Sequence, residues 1–583
     1  MKNGHATART GAQIVWDVLE QEGVEVVFGY PGGAIMPIYD AMLASKVHHV
    51  LVRHEQGASH MADGYARASG KVGVCMATSG PGATNLVTGI ATAQLDSSPI
   101  VCITGQVSST LLGSDAFQET DITGVTLPIT KHNYLVTRAE DIGPTLREAF
   151  EVARSGRPGP VLVDITKDAQ QATATYDRAS HVTKVRRSPY RTTSANDLAR
   201  AISLIDAAER PVILAGHGIV ASEAGEALAA FAEKAGIPVA STLLGLGGFP
   251  ASHKLSLGMM GMHGEAWVNV AIQKADLLIA LGMRFDDRVT GKLSTYAPHA
   301  KKIHVEIDPA EINKNVKVDV ALLCDVKKAL EELTPKVEAR PQRPWVERIQ
   351  AMRGEASKRD ILRLPDQGKL YAAHVMHELC KIAGDDAVVV TDVGQHQMWE
   401  AQYWKHESSR SLITSGGLGT MGFALPAAIG AAFARKDKEV WVVAGDGGFQ
   451  MTACELSTIA QEGVKLHIAV INNGFLGMVR QWQEFFYDRR YAATPLLSPD
   501  FVKLAEAHGL SGLRVTRRDE IAGAVAKARA TQGTVLIDFR VEQEDSVYPM
   551  VAAGADLHDM IRRPVMGEPE DDADLVPEQA ETD

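Results

Sequence analysis

The chain has 583 residues, of which 22% are charged, and a formal net charge of −12; its length predicts roughly three domains of about 150–200 residues each. The acidic balance argues against a general binder of nucleic acid or of anionic membranes, and no apolar run approaches the ~18 residues that a membrane span needs. Five widely spaced cysteines and a polar start at Met1–Gln13 argue against a disulfide framework, a zinc site or a secretory signal, so we expect a cytoplasmic protein.

Two polar stretches, Gln170–Asp197 and Thr334–Gly368, are predicted to be linkers between three blocks. In each block, short β-branched runs alternate with amphipathic helical patterns, which is typical of parallel α/β domains. We therefore predict three doubly wound parallel-sheet domains at residues 8–170, 195–335 and 369–555. An acidic, solvated tail is expected at residues 556–583.

The apolar runs predict strands in all three blocks, and the first and third blocks could be related as folds. In chain order, the predicted strands are Val24–Phe28, His49–Val52, Val72–Ala77, Ile100–Thr104, Val212–Ala215, Leu277–Leu281, Ile303–Ile307, Ala387–Thr391, Glu439–Ala444 and Leu466–Ile471. The predicted helices are Glu55–Ala68, Ala83–Gln94 and, approximately, Thr452–Glu462.

Two consecutive strands of the third block end in oxygen-bearing side chains. One ends in Gly445-Asp446-Gly447-Gly448 and the next in Asn472-Asn473-Gly474. Each motif alone is typical of a turn. Because the carboxyl ends of parallel strands face one crevice, Asp446 and Asn473 should stand side by side there. A carboxylate and an amide oxygen suit a hard cation that retains phosphate oxygens, and the glycines let the backbone approach a diphosphate.

This spacing resembles the motif that binds thiamine diphosphate through magnesium. The resemblance implies Asp446 and Asn473 as metal ligands, with the backbone carbonyl of Phe475 as the third. Gly445, Gly447 and Gly448 would then lie against the cofactor.

The first block supplies a candidate acid, Glu55, which follows a predicted strand and opens a predicted helix. Thiamine chemistry needs a carboxyl group beside the aminopyrimidine ring, which relays general acid–base catalysis through the cofactor. The alternative is that Glu55 is only a helix-start acid favoured by the helix dipole. The metal motif in the same chain favours the catalytic interpretation.

From about Thr10 to Gly554, the chain resembles the catalytic subunits of the acetolactate synthase (acetohydroxyacid synthase) family. The matching segments are Phe28–Ile35, Arg53–Gly70, Thr78–Asn85, Gly113–Asp121, Ser155–Asp168, Gly282–Leu293, Gly416–Ala431 and Leu476–Tyr487. Single motifs are shared with pyruvate oxidases and benzoylformate-type decarboxylases, but the combination of motifs is typical of far fewer proteins than any one of them. The resemblance implies three domains that bind the pyrimidine, FAD and the diphosphate.

The resemblance also implies roles for residues around the reacting 2-keto acid. Met421 would force the bent shape of the cofactor, although a core methionine is an alternative. The resemblance further implies that the reacting 2-keto acid is surrounded by Phe117, Gln118, Lys167 and Arg288. The pocket for the acceptor 2-keto acid would be shaped by Met478 and Trp482. Taken alone, Arg288 after two aspartates is more typical of a surface ion pair, and Trp482 is equally typical of a core aromatic.

The central block resembles the FAD-binding domain of this family, in which FAD is held without a net redox role. A glycine after a strand is weak evidence by itself. The implied FAD contacts are Arg157, Gly216, Gly218, His263, Gly264, Gly282, Arg284, Glu306, Asp308 and Asp325.

The resemblance implies an enzyme that decarboxylates pyruvate and joins the remaining two-carbon unit to pyruvate or 2-ketobutyrate, in branched-chain amino acid synthesis. A homodimer or homotetramer with active sites at the subunit interface is implied, and a small regulatory subunit is a possible partner. The alternatives are a flavin oxidoreductase of the pyruvate oxidase type and a non-catalytic homologue. Intact Glu55, Asp446 and Asn473 argue against the last.

One departure from the family pattern generates a prediction. The family commonly reads Gly-Gln-Val-Pro where this chain reads Gly105-Gln106-Val107-Ser108, and in the family that position lines the channel that binds sulfonylureas. Since serine lacks the ring that packs on the inhibitor, we expect weakened inhibition, strengthened by Ser108→Pro with turnover unchanged. Inhibitor titrations of both proteins check this, and equal inhibition constants would contradict it.

Overall fold

The computed structural model describes residues 7–177, 193–363 and 368–564. By its contacts the described chain divides into two compact units. The first holds residues 7–177, 381–397 and 410–543, and the second holds 193–363, 368–380, 398–409 and 544–564. Within these ranges no helix has the length and apolar character to cross a membrane. Parts of both predicted linkers, 178–192 and 364–367, lie outside the described residues.

The N-terminal sheet belongs to the first unit and is parallel throughout its described strands, in the order β3-β2-β4-β5-β7-β6. Its inner strands are apolar and buried on both faces, as parallel strands covered by helices require. The strands are β2 Val26–Gly29, β3 His48–Leu51, β4 Gly73–Ala77, β5 Ile100–Gln106, β6 His132–Val136 and β7 Val161–Thr166; β1 Thr7–Thr10 pairs antiparallel with β8 Thr173–Tyr176. The helices are α1 Gly11–Gln21, α2 Met36–Ala41, α3 Glu55–Ser69, α4 Pro81–Asn85, α5 Val87–Leu95, α6 Ile122–Thr126, α7 Ala139–Arg154 and α8 Lys167–Gln171.

The central sheet belongs to the second unit and has the order β11-β10-β9-β12-β13-β14. Read along the chain this is 3-2-1-4-5-6, the order of dinucleotide-binding doubly wound sheets. The strands are β9 Pro211–Ala215, β10 Val239–Ser241, β11 Ser256–Met259, β12 Leu277–Leu281, β13 Lys301–Glu306 and β14 Val320–Leu323. The helices are α9 Ala195–Ala207, α10 His217–Ala221, α11 Gly225–Ala235, α12 Ala266–Lys274, α13 Asp287–Thr290, α14 Val326–Leu333 and α15 Pro344–Ala356.

The C-terminal sheet lies in the first unit and has the order β16-β15-β17-β18-β20-β19, which repeats the topology of the N-terminal sheet strand for strand. The strands are β15 Val388–Thr391, β16 Leu412–Thr414, β17 Val440–Gly445, β18 His467–Asn472, β19 Ser511–Val515 and β20 Val535–Arg540. The helices are α16 Ala372–Ala383, α17 Gln395–Tyr403, α18 Ala424–Ala434, α19 Asp446–Thr452, α20 Leu456–Glu462, α21 Gly477–Phe486, α22 Phe501–Ala507 and α23 Ile521–Ala530. A short antiparallel pair follows, β21 Met550–Val551 with β22 Met560–Ile561.

The predicted fold class, with three parallel α/β sheets, is confirmed. Two boundaries differ from the prediction. The second expected linker contains α15, because Trp345 and Ile349 are buried on the central core. Residues 544–564 belong to the second unit, where the Val551 N–H donates to the Met262 carbonyl, so neither a C-terminal domain to 555 nor a tail from 556 describes this segment. Residues 565–583 of the expected tail lie outside the described residues.

Helices α3 and α18, which occupy equivalent places in the two similar sheets, pack at backbone distance. A Cβ on Gly64 would lie 2.0 Å from the Ala427 carbonyl oxygen, and a Cβ on Gly430 would lie 1.9 Å from the Met61 carbonyl oxygen. Reciprocal glycines therefore allow the crossing, and one apolar core continues from one sheet to the other.

We predict that Gly64→Ala destabilises the chain by about 1–3 kcal/mol, because the added methyl group overlaps a backbone oxygen that cannot move freely. The matched control is Gly523→Ala in α23, where a Cβ would meet nothing within 4 Å. That change should stabilise by about 0.5–1 kcal/mol. Thermal unfolding of both variants checks this; an unfolding temperature of Gly64→Ala equal to that of the unchanged protein would contradict the tight crossing.

Candidate functional site

Two neighbouring strand ends form the centre of the candidate site. Strand β17 ends at Gly445 and α19 begins at Asp446, while β18 ends at Asn472, one residue before Asn473. The strands are hydrogen-bonded neighbours with Gly445 opposite Ile471. Asp446 and Asn473 are 1% and 7% exposed, so two buried polar side chains stand at one edge of the sheet.

Their oxygens are oriented by neighbouring polar groups. The Ser498 hydroxyl donates to Oδ2 of Asp446 at 2.8 Å, and burial raises the pKa of Asp446 to about 6. Oδ1 of Asn473 accepts from the Phe475 N–H at 3.1 Å, and its Nδ2 donates to Gln395 at 3.3 Å. One carboxylate and one amide oxygen, with residue 475 folded back beside them, match the ligand types that a hard cation prefers.

Two glycines of the motif lie against residues that were not predicted as site residues, Asp392 directly after β15 and His396 in α17. A Cβ on Gly445 would lie 2.9 Å from the His396 ring, and one on Gly448 would lie 2.9 Å from the Asp392 carboxyl group. Burial lowers the pKa of His396 to about 3, and its Nε2 has no hydrogen-bond partner within the described residues. Strand β15 pairs with β17, so applying the strand-end rule to the predicted strand at 387–391 would have found Asp392, whereas His396 belongs to the following helix α17.

Met421 lies beside the glycine motif, with its Cε 3.7 Å from the place of a Cβ on Gly447. The next residue, Gly422, has φ +85° and donates its N–H to both Asp392 oxygens, at 2.9 and 3.1 Å. Its carbonyl accepts from the Thr452 hydroxyl. Burial raises the pKa of Asp392 to about 7. The turn that presents Met421 is therefore held from both sides.

Glu55 is the first residue of α3, and His54 caps the helix by accepting the Gln56 N–H at 3.1 Å. The Glu55 side chain is half-buried. Its Oε2 accepts from the Asn85 amide at 2.9 Å, and its Oε1 lies 3.4 Å from the place of a Cβ on Gly82. A simple helix-start acid would point to solvent, whereas this carboxylate is directed by a partner 30 residues away in the sequence.

Gln118 lies close to the Gly80–Gly82 segment that Glu55 also approaches. A Cβ on Gly80 would lie 2.9 Å from its Cβ, so the Gly80 and Gly82 positions abut Gln118 and Glu55 respectively. Gln118 has φ +61°, and the neighbouring Phe117 is 88% exposed. Lys167 opens α8 and is half-buried.

A buried polar network supports the segment that carries Gln118. The Thr104 hydroxyl and the Gln106 amide donate to Asp164 at 2.7 and 2.9 Å, and the same Gln106 amide donates to the Thr120 carbonyl at 2.8 Å. Thr120 is two residues beyond Gln118. The network therefore ties this loop to the carboxyl ends of β5 and β7.

Helix α21 begins four residues after Asn473 and carries the two predicted acceptor residues. Met478 and Trp482 are four residues apart, so they share one helix face, and both are partly exposed. The Trp482 ring lies 5.1 Å from that of Phe486. Partial exposure argues against the alternative that Trp482 is a core aromatic.

Arg288 belongs to α13 in the second unit. Its side chain is 59% exposed and lies 3.8 Å from Asp287 and 3.5 Å from the sulfur of Met262. This geometry fits the surface ion pair as well as a substrate contact, so its role stays a prediction.

The glycines of the central block are explained by backbone contact at the ends of β9 and β12. The Gly218 N–H donates to the Gly282 carbonyl at 2.9 Å, and a Cβ on Gly216 would lie 2.3 Å from that oxygen. The space there admits only glycine. This junction is the point where the strand order reverses, the usual dinucleotide crevice.

The other FAD candidates have mixed surroundings. His263 is buried, burial lowers its pKa to about 4, and its Nδ1 has no hydrogen-bond partner in the described part of the chain. Three of the candidates bind backbone N–H groups. Asp325 caps α14, Asp308 caps the turn at 309–311, and Glu306 accepts the N–H groups of the two residues that follow it.

The last three candidates contact neighbouring residues. Arg284 lies 3.6 Å from Asp286, and Gly264 packs on Met260. Arg157 lies in the first unit, where it donates to Ser97.

Comparisons with known proteins define the class. Three family models match: "Thiamine pyrophosphate enzyme, N-terminal TPP binding domain" at residues 9–125, the central domain at 198–333 and the C-terminal TPP binding domain at 392–539. The central match contains the whole central sheet, and the other two contain most strands of the N-terminal and C-terminal sheets. The chain is thus a thiamine pyrophosphate enzyme by class, and the strand-end site lies in the C-terminal TPP binding domain.

Similarity to individual proteins identifies the family within this class of enzymes. The chain is 51% identical over 556 residues to an acetolactate synthase of Mycobacterium bovis and 50% identical over 564 residues to the acetolactate synthase large subunit of Corynebacterium glutamicum, covering 94% of this chain and 90% of each relative. It is 46% identical to the acetolactate synthase isozyme 2 large subunit of Escherichia coli, over 95% of this chain and 99% of the relative. The chain belongs to the acetolactate synthase large-subunit family.

The Asp164 network generates a prediction about pH. Burial raises the pKa of Asp164 from 3.8 to about 7. The folded protein therefore holds this proton to higher pH than the unfolded chain, and the stability from this group, complete below about pH 4, is lost as the pH rises towards 7. Asp164→Asn keeps a neutral hydrogen-bonding group, so its stability should decline less over that range.

Urea unfolding at about pH 4.5 and pH 7.5 measures the difference. Asp500→Asn is the control, because the pKa of Asp500 is lowered and its contribution to stability has the opposite dependence on pH. Identical declines for Asp164→Asn and the unchanged protein would contradict the prediction.

Proposed function

We propose that this chain is a catalytic subunit that decarboxylates pyruvate and joins the remaining two-carbon unit to the keto carbon of a second 2-keto acid. Pyruvate gives 2-acetolactate and 2-ketobutyrate gives 2-aceto-2-hydroxybutyrate, for branched-chain amino acid synthesis. Family membership supports the reaction. The structural observation that carries it is the meeting of Asp446 and Asn473 at neighbouring strand ends beside Met421.

The surroundings of these strand ends fit thiamine diphosphate and magnesium. Asp446, Asn473 and the Phe475 carbonyl would hold the metal, with the diphosphate against Gly445–Gly448. The Nε2 of His396, beside Gly445, has no hydrogen-bond partner among the described residues and is a buried polar atom that a ligand could satisfy. Thiamine diphosphate, when bound, supplies the electron sink that stabilises a carbanion.

The protein's own contribution is positioning and proton handling. Glu55, directed by Asn85, would hold a proton at the pyrimidine ring nitrogen of the cofactor. Met421, on its fixed turn, would support the bend of the cofactor. Glu55 opens α3 and Met421 lies on a turn, and hydrogen bonds from Asn85 and to Asp392 hold the two segments in place.

Binding of the two keto acids would use the other predicted residues. Gln118 and Lys167 would contact the reacting acid, with Phe117 at the exposed edge. Met478 and Trp482 would form an apolar wall for the acceptor, which their shared, partly exposed helix face supports. Arg288 has a planar guanidinium suited to a carboxylate.

FAD would bind the central domain. Its 3-2-1-4-5-6 strand order and the glycine contact at the reversal point support a dinucleotide there. The buried, unpartnered Nδ1 of His263 is a second polar atom that a ligand could satisfy.

We further propose a homodimer or homotetramer that associates with a small regulatory subunit. The relatives named as large subunits support the small partner. Phe117 and Leu497, at 88% and 101% exposure, are large apolar side chains on the first unit, and their cover by another chain would remove them from water.

The decisive variant is Glu55→Gln, which keeps the shape of the side chain but cannot exchange the proton. We expect turnover to fall by about 10²–10⁴-fold with the cofactor still bound. The matched control is Glu140→Gln, which alters another first-turn acid, at the start of α7, and should leave turnover unchanged. Near-unchanged turnover of Glu55→Gln would show that the acid is wrongly assigned.

Product analysis separates the remaining functions. Acid treatment of the pyruvate reaction converts acetolactate to acetoin, which a colour test detects. A flavin that bleaches stoichiometrically with acetate or acetyl phosphate as product would instead indicate an oxidase. Absence of any turnover by the chain loaded with both cofactors and magnesium would favour a non-catalytic homologue.

A further inference from the structure

A second glutamate, outside the predicted site, contacts the backbone that leads into Glu55. Glu455 lies in the single 3₁₀ turn between α19 and α20, and its side chain is fully buried. Its Oε1 accepts from the N–H groups of His54 and Arg53 at 3.0 and 3.1 Å. Its Oε2 accepts from the Arg53 N–H at 3.2 Å and from the Thr458 hydroxyl at 2.6 Å.

The chain makes room for this carboxylate. A Cβ on Gly57 would lie 2.4 Å from Oε1 of Glu455, so the first turn of α3 admits the acid only because residue 57 is glycine. The Arg53 guanidinium turns away, to the Leu51 carbonyl and to Gln461. The carboxylate is thus satisfied by backbone amides and one hydroxyl, an arrangement that fixes the path of the main chain.

The two residues that Glu455 holds immediately precede Glu55. The direction of the Glu55 Cα–Cβ bond follows from the backbone at Arg53 and His54, and the tip of the side chain is held separately by Asn85. Glu55 is therefore held at two places, through the backbone that precedes it and through its carboxylate. Glu455, which holds the backbone, lies at the end of the helical segment that begins with the metal-motif residue Asp446.

We propose that Glu455 is a positioning residue for Glu55: its buried carboxylate fixes the strand-to-helix junction at Arg53–His54 and so sets the orientation in which Glu55 meets its proton-transfer partner. This inference rests on the proposed role of Glu55. The competing explanation is that Glu455 only stabilises the fold, as the N-cap acid Asp500 does for α22.

The test compares Glu455→Gln with Asp500→Asn, which makes the same chemical change at a helix start elsewhere in the first unit. In Glu455→Gln only one oxygen remains as an acceptor and the negative charge is lost, so the junction N–H groups and the Thr458 hydroxyl can no longer all be accepted as they are by the carboxylate. In the full chain without cofactors, amide hydrogen exchange over residues 53–57 should rise by about tenfold or more, and it should stay unchanged in Asp500→Asn.

With saturating cofactors, kcat of Glu455→Gln should fall by about 10- to 100-fold while KM for pyruvate changes little, because orientation and not binding is lost. Thr458→Val, which removes the hydroxyl donor without changing shape, should move both readouts in the same direction by less. It also serves as the test if Glu455→Gln does not fold. A kcat within twofold of the unchanged protein, despite faster exchange at residues 53–57, would overturn the proposal.

A double variant distinguishes this inference from the proposed function. If Glu455 acts through Glu55, adding Glu455→Gln to Glu55→Gln should lower kcat no further. If the decrease in kcat of the double variant equals the product of the two single decreases, the positioning role is overturned while Glu55 remains the acid. Full activity of Glu55→Gln alone would instead overturn the proposed role of Glu55, whatever Glu455 does.

Discussion

The close crossing of α3 and α18 is the contact on which the first unit depends. Gly64 and Gly430 let each backbone touch the other helix, so the two sheets share one apolar core. Helix α3 starts at Glu55, and α18 follows the Met421 turn by three residues. The crossing that joins the cores thereby fixes the relative position of two segments of the candidate site, so a single added methyl group at either glycine should have more than a local effect.

The glycines of the Gly445–Gly448 motif are required for separate reasons. Gly445 abuts His396, Gly448 abuts the Asp392 carboxyl group, and Gly447 abuts a leucine side chain near Met421. Only the site as a whole, with β15 included, explains the motif. The sequence of the motif indicates a turn that binds a diphosphate. The contacts of its glycines show in addition that the ends of three neighbouring strands converge there.

Much of the fold was accessible from sequence because buried parallel strands are continuous apolar runs. The ends of β17 and β18 were predicted within one residue, and with them Asp446 and Asn473. Helix α15 was missed because only Trp345 and Ile349 of its polar, proline-flanked sequence are buried. The backbone partners of Glu455 could not be found at all, since they lie about 400 residues away and are N–H groups, which no side-chain pattern reveals.

The same device recurs around the candidate site: a buried acid from one segment holds the backbone that presents a predicted site residue on another. Asp392 holds the turn after Met421, Glu455 holds the junction before Glu55, and Asp164 acts through Gln106 on the segment after Gln118. Buried carboxylates are costly unless they are hydrogen-bonded, so a chain that had lost catalysis would have little reason to retain all three. Their presence adds to the argument of the site residues against a non-catalytic homologue, because each acid holds the backbone beside a predicted site residue.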